Sequence, residues 1–214
     1  MLPRKHLDGP DHLIPVESQE YRVAYEAKLK ELFGLDEFAF ARVLSGGGAE
    51  IDAGEWVISL HGRGGDVDLA KTEKIFITIK TANQNVWYTL PGSRDPRLPQ
   101  ETLVSMTTVP LEKDVVLRLI KLWERMLDRT APKDREKYPY TINDGASYEF
   151  SVSGKKGLYL SMPHDRRSTG IFCGLTLMLH HYASTSWVGR RPLIKEIEEQ
   201  ATKLEKYLDQ NPVK

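Results

Sequence analysis

The chain has 214 residues, 30 basic and 30 acidic side chains, and a single cysteine. The zero net charge argues against a general nucleic-acid binder, which needs a surplus of Lys and Arg to displace counterions. The lone Cys173 excludes an intrachain disulfide and a cysteine-rich zinc site. With 40% apolar and 28% charged residues, the composition is typical of a folded globular protein.

The beginning of the chain carries basic residues but no apolar run behind them, whereas a secretory signal needs about 7–15 apolar residues there. No window approaches the ~20 apolar residues of a membrane span. We therefore expect no membrane association and a cytoplasmic location. A mature form whose export signal had been removed would instead be periplasmic.

Three early prolines predict that residues 1–17 form an extended arm, followed by a single α+β domain over residues 18–214. Ser18 is a potential N-cap, because apolar residues at helical spacing follow it. The pattern ends at Gly34, which is a typical helix stop. The domain is thus expected to begin with a helix.

The period then changes to two, which indicates β-strands. Alternating side chains predict an antiparallel meander over residues 38–109, and such a sheet buries one face and exposes the other. The five predicted strands are 38–45, 55–62, 74–81, 85–90 and 103–110.

A broad apolar face predicts a helix over 111–128 that lies across the sheet. A second hairpin is expected from segments 141–152 and 157–163, and two helices follow, over 171–182 and from Pro192 onward. Because strands and helices are segregated along the chain, the order favours an α+β fold. We expect an antiparallel sheet of about five to seven strands, packed by the central helix and the two C-terminal helices.

The most distinctive polar stretch enters the first of these C-terminal helices. Ser168 or Thr169 is predicted to be its N-cap, and the helix start adds partial positive charge to Arg166 and Arg167. Together with His164, these residues predict a site for an anion or a partner. The alternative is a solvated, capped turn in which Arg166 pairs with a nearby acid.

Arg63 is a second candidate for anion or partner binding, because it lies among glycines that follow a strand. The run does not lead into a helix, and the acidic side chains of Asp66 and Asp68 would repel a phosphate. A mobile connection between strands is therefore the competing interpretation.

A catalytic interpretation rests on Cys173, with His164 and Asp165 as its partners. A thiol near a helix N-terminus can have a lowered pKa, and beside a histidine it becomes a nucleophile. Cys173 lies, however, in an apolar run, where a thiol behaves as a small apolar group. We therefore expect no catalytic residue and keep the Cys/His site as the alternative.

No cofactor and no metal are expected. The six histidines lack ligand spacing, and the neighbours His180 and His181 point about 100° apart on a helix. Asp144 and Glu149 flank a predicted strand start and could act as acid and base, although Asp144 stands in a turn motif. The aromatic side chains of Trp56, Trp87, Tyr88 and Trp123 are expected in the core or on a face of the sheet rather than on a stacking platform.

These patterns favour a non-enzymatic bacterial protein-binding module, such as an inhibitor or immunity-type protein that blocks a partner through its surface loops. It needs a patch of about 800 Å² per side with aromatic or Arg anchors. A homo-oligomer is compatible with this hypothesis. The alternative is a small hydrolase or transferase with its site at the helix entrance near residue 169. Nucleic-acid binding would need a local arginine cluster, drawn from Arg63, Arg166, Arg167, Arg190 and Arg191.

Overall fold

The structure is a computed structural model, and its described part confirms the predicted α+β class: helices pack on a six-stranded antiparallel sheet. The residues it describes are 11–16, 23–35, 37–46, 54–65, 68–92, 95, 97, 101–132, 147–160 and 167–212. The helices are α1 (Val23–Phe33), α2 (Lys113–Asp128), α3 (Ser168–Ser184) and α4 (Trp187–Gln210). The strands are β1 (Ala41–Gly46), β2 (Trp56–Gly62), β3 (Ile75–Ala82), β4 (Val104–Leu111), β5 (Ser147–Val152) and β6 (Lys155–Leu160).

The strand order across the sheet is β4-β3-β2-β1-β5-β6. The first four strands form the predicted meander, and the β5–β6 hairpin adds to the free side of β1. Val43 lies at the centre, opposite Ile58 on one side and Phe150 on the other. The hairpin turns at Ser153 and Gly154, whose positive φ angles of 50° and 82° suit a tight two-residue turn.

Three helices cover one face of the sheet and bury the main core. α2 lies on β5 and β6, α3 reaches across to β3 and β4, and α4 packs on both helices. Trp123 of α2 is fully buried, and its ring meets the edges of Phe150 and Phe172 with 5.8 Å between centroids in both pairs. The alternation of β5 and the apolar stripe of α2 therefore converge on one aromatic centre.

The opposite face of the sheet is partly covered by α1 and a 3₁₀ helix, Val86–Thr89. Tyr25, Leu29 and Phe33 of α1 pack there against Val57. Gly34 ends α1 with a φ of 61°, as the sequence predicts. Ser18 lies outside the described residues.

The segment of residues 11–16 meets the outer side of β6 at Ile14. Ile14 and Leu158 exchange two backbone hydrogen bonds, with N–O distances of 2.9 and 2.8 Å. Leu13 is fully buried, and its carbonyl accepts the N–H of Ala131. This segment therefore contributes to both the sheet and the core.

The predicted strand over 85–90 is wrong, because its centre is the 3₁₀ helix and β3 pairs directly with β4. The Asn85 side chain accepts the N–H of Trp87 at 3.1 Å, and Glu55 accepts the N–H of Val86 at 2.8 Å. These side-chain acceptors hold backbone groups that a strand would use in its ladder.

Two helix boundaries also differ from the prediction. α2 begins at Lys113 rather than Leu111, because Leu111 still pairs with Ile75 in the sheet. α4 begins at Trp187 rather than at Pro192, after Ser186 in an extended conformation. Pro192 therefore lies inside α4, where it cannot donate a backbone hydrogen bond.

Candidate functional site

The start of α3 holds the described part of the predicted anion site. Ser168 and Thr169 are fully buried, and Arg167, not either of them, occupies the N-cap position in an extended conformation. One oxygen of Asp11 accepts both the N–H and the hydroxyl of Ser168, at 2.9 and 2.6 Å. An acidic side chain is favourable at a helix N-terminus. Here the chain's own Asp11 supplies that charge.

The second oxygen of Asp11 accepts the hydroxyl of Tyr207 in α4 at 2.8 Å, and Arg129 lies 3.8 Å from it. Burial and this carboxylate together raise the pKa of Tyr207 to about 12. Asp11 thus joins the N-terminal segment, α3 and α4. His164, Asp165 and Arg166 lie outside the described residues, and the described contacts do not join Arg63 to this cluster.

Arg63 lies exposed in a 3₁₀ turn, Arg63–Gly65, directly after β2. Gly64 has a φ of 66°, a conformation that favours glycine. The glycines therefore serve the turn.

Cys173 is a buried thiol outside any disulfide, and the phenol of Tyr148 lies beside it. Burial, together with the charge of Cys173 and a hydrogen bond to it, raises the pKa of Tyr148. A tyrosine with a raised pKa remains protonated and does not act as a base towards the thiol. Tyr148 therefore offers Cys173 a hydrogen bond and not a base.

His180 lies on the same helix and packs on Trp56, with 4.8 Å between the ring centroids. Trp56 also packs on Tyr148 at 5.9 Å. Burial, and then the neighbouring His181, lower the pKa of His180, so that the ring is neutral near pH 7. His180 is therefore part of an aromatic cluster in which its imidazole is neutral.

The other acid–base candidate is also held in the sheet. Glu149 accepts a hydrogen bond from Lys156 on the adjacent strand at 2.9 Å, and Asp144 lies outside the described residues. Across the described part of the chain, no three His, Cys, Asp or Glu side chains gather as a metal site. None of the helices described here combines the length and the apolar character needed to cross a membrane.

Glu55 is a buried carboxyl group that the sequence analysis missed. It accepts the hydroxyl of Tyr25 and the N–H of Val86, both at 2.8 Å, and burial raises its pKa. Glu55 therefore fastens α1 and the 3₁₀ helix to the start of β2. Its sequence position at a strand end carries no signal of these distant partners.

The second feature is a surface corner formed by the exposed Trp187 and Val188 and the half-buried Arg190, which we call the α3–α4 corner. Trp187 is 74% exposed and Val188 is 86% exposed. Arg190 lies over the ring of Tyr182 at 5.9 Å, and the Tyr182 hydroxyl donates to the carbonyl of Pro110 at 3.0 Å. The corner is thus fixed next to the β4 edge of the sheet.

No protein-family model, curated protein or solved structure matches this chain.

Replacing Asp11 by Ala should lower the free energy of unfolding by about 1–2 kcal/mol, because the N-terminus of α3 loses its capping carboxylate. Urea denaturation measures the change. Exposed Glu73 provides the matched control, since its replacement by Ala should change the free energy by no more than about 0.5 kcal/mol. Equal losses in the two variants would show that Asp11 does not cap α3.

Glu55→Gln should make the protein's stability less dependent on pH. The folded state raises the pKa of Glu55 above its ordinary value of 4.5. The contribution of Glu55 to the free energy of unfolding is therefore complete below pH 4.5 and is lost as the pH rises through the pKa of the folded state. The free energy of unfolding of the natural protein, minus that of Glu55→Gln, should therefore be largest in acid and should fall as the pH rises. Urea denaturation of both proteins from about pH 4 to about pH 8 tests this. A difference that stays constant or grows with pH contradicts it.

Proposed function

We propose that this protein is a non-enzymatic protein-binding module whose anchor is the α3–α4 corner. The observation that carries the proposal is the exposure of Trp187 and Val188, at 74% and 86%, on adjacent residues. Tryptophan and arginine are the residues most enriched among those that dominate binding energy. Large apolar side chains that are left in water favour burial against another surface.

Contacts hold the Arg190 side of the corner in place. Tyr182 connects it to the sheet through Pro110, and Arg190 lies over the ring of Tyr182. A surface that is already ordered loses less conformational entropy on binding than a flexible one. The corner therefore suits a partner with a complementary apolar pocket and an acceptor for arginine.

The reactive side chains support binding rather than catalysis. Cys173 is paired with Tyr148, and Asp11 accepts the N–H and the hydroxyl of Ser168 at the start of α3. His180 is half-buried against Trp56. These groups are engaged in packing, whereas Trp187 and Val188 face solvent. In a bacterial host, an inhibitor or immunity-type protein of this kind would act by covering the working surface of its partner.

Capture from an extract of the native host tests the proposal with two variants. Trp187→Ser should weaken partner binding about thirty-fold or more, the effect of losing a dominant anchor. Val23→Ser is the control, because Val23 is also exposed, at 56%, but lies on α1. The natural protein and the control should retain the same stoichiometric partner. The proposal is wrong if no stoichiometric partner is found or if Trp187→Ser binds it equally well.

A further inference from the structure

The two edges of the sheet differ in the described part of the chain. On β6, Ile14 pairs with Leu158 and covers part of the outer side. On β4, no described strand pairs with the outer side, and residues 105–108 are all exposed. The β4 edge is therefore a surface where a further strand can be added.

The backbone direction along β4 follows from one hydrogen bond. The N–H of Asn83 donates to the carbonyl of Leu103 at 3.0 Å, and the register places Ala82 opposite Val104. Because antiparallel pairs alternate, odd-numbered residues of β4 bond to β3 and even-numbered residues direct their N–H and C=O outward. The outward residues with both groups are Val104, Met106 and Thr108.

Pro110 agrees with this assignment, since its carbonyl accepts the Tyr182 hydroxyl from outside the strand pair. Pro110 lacks an N–H and lies near the end of β4, so added pairing stops before it. The strand therefore offers a defined seam over residues 104–108.

The seam lacks the features that protect exposed edges. Residues 104–108 read Val-Ser-Met-Thr-Thr, without a charged side chain or a proline. Proteins usually protect a free edge with Lys, Pro or a bulge, because unpaired backbone groups attract other strands. Met106 is 65% exposed at the centre of the seam.

The seam is also complementary to itself. An antiparallel twofold axis at Met106 places Met106 opposite Met106 of the partner subunit. Ser105 then faces the partner's Thr107, a pair of hydroxyls, and Val104 faces the partner's Thr108, a pair of β-branched side chains. The three outward residues would exchange about six backbone hydrogen bonds.

Charge does not oppose this arrangement. The charged residue nearest to the axis along the register is Lys80, which lies opposite Met106 on β3. Its ammonium donates to Glu37 at 3.0 Å and to the carbonyl of Phe33 at 2.9 Å. Because Lys80 is already paired within its own chain, the described residues of β3 and β4 bring no unpaired charge to the axis.

We propose that β4 pairs antiparallel with β4 of a second copy of this chain, about a twofold axis at Met106, so that two sheets become one. A seam of five residues on each copy buries less surface than the roughly 1,200 Å² that a stable interface buries in total. The dimer therefore forms at high protein concentration and dissociates on dilution. This inference does not depend on the proposed function.

Charge substitutions at Met106 test the occupant and the register together. Sedimentation velocity over a wide dilution series should show a dimer for the natural protein. Met106→Lys and Met106→Glu should each weaken self-association about fivefold or more, since like charges then lie directly opposite. Mixing the two variants should restore the dimer, because Lys then faces Glu. Val23→Lys is the charge-matched control and should dimerise like the natural protein.

Three results would overturn the inference. The first is a natural protein that stays monomeric at every concentration, and the second is a dimer that survives both single substitutions. The third is a mixture of the two variants that remains monomeric, which would exclude the twofold at Met106. Circular dichroism of each variant verifies that it is folded, and two substitutions of opposite charge keep the test valid if one of them unfolds.

Discussion

The burial of α3 is the constraint on which the rest of the structure depends. Phe172, Leu175 and Leu179 are fully buried between the sheet and α4. A buried helix start cannot leave its N–H groups to water, so a side chain must satisfy them. Asp11 accepts one of them, the N–H of Ser168, and its second oxygen accepts the hydroxyl of Tyr207 in α4. The N-terminal segment is thereby tied to the helical layer.

The same constraint decides what the reactive side chains can do. Once α3 is buried, Cys173 lies buried beside Tyr148, and His180 packs on Trp56 in its neutral form. At its far end α3 reaches the edge of the sheet, and the chain turns into α4 with Trp187 exposed. The position of α3 thus both buries the reactive side chains of Cys173 and His180 and leaves Trp187 exposed. This is why we favour recognition over catalysis.

The sequence predicts those parts of the fold that depend on the pattern of residues close together in the chain. The alternation around Val43, Ile58 and Ile77 predicts the meander, because a half-buried strand imposes period two. The 3₁₀ helix at Val86 could not be predicted, since its acceptor Glu55 lies 31 residues away. The position of Ser168 at a helix start predicts that it faces an anion. That the anion is the side chain of Asp11 could not be predicted, because the two residues are 157 positions apart. The exposure of Trp187 could not be predicted either, because it is set by how α3 and α4 pack.

The reactivity of the single thiol, Cys173, tests most directly whether burial in the folded protein makes the reactive side chains inaccessible. Alkylation of Cys173 should be measured across pH in the native protein and again in denaturant. We expect the folded thiol to stay inert while the denatured thiol reacts with an ordinary pKa of about 8.5. Rapid alkylation of the folded protein well below that pH would reveal an accessible thiolate, and the interpretation of this molecule as a binding surface on a passive scaffold would fail.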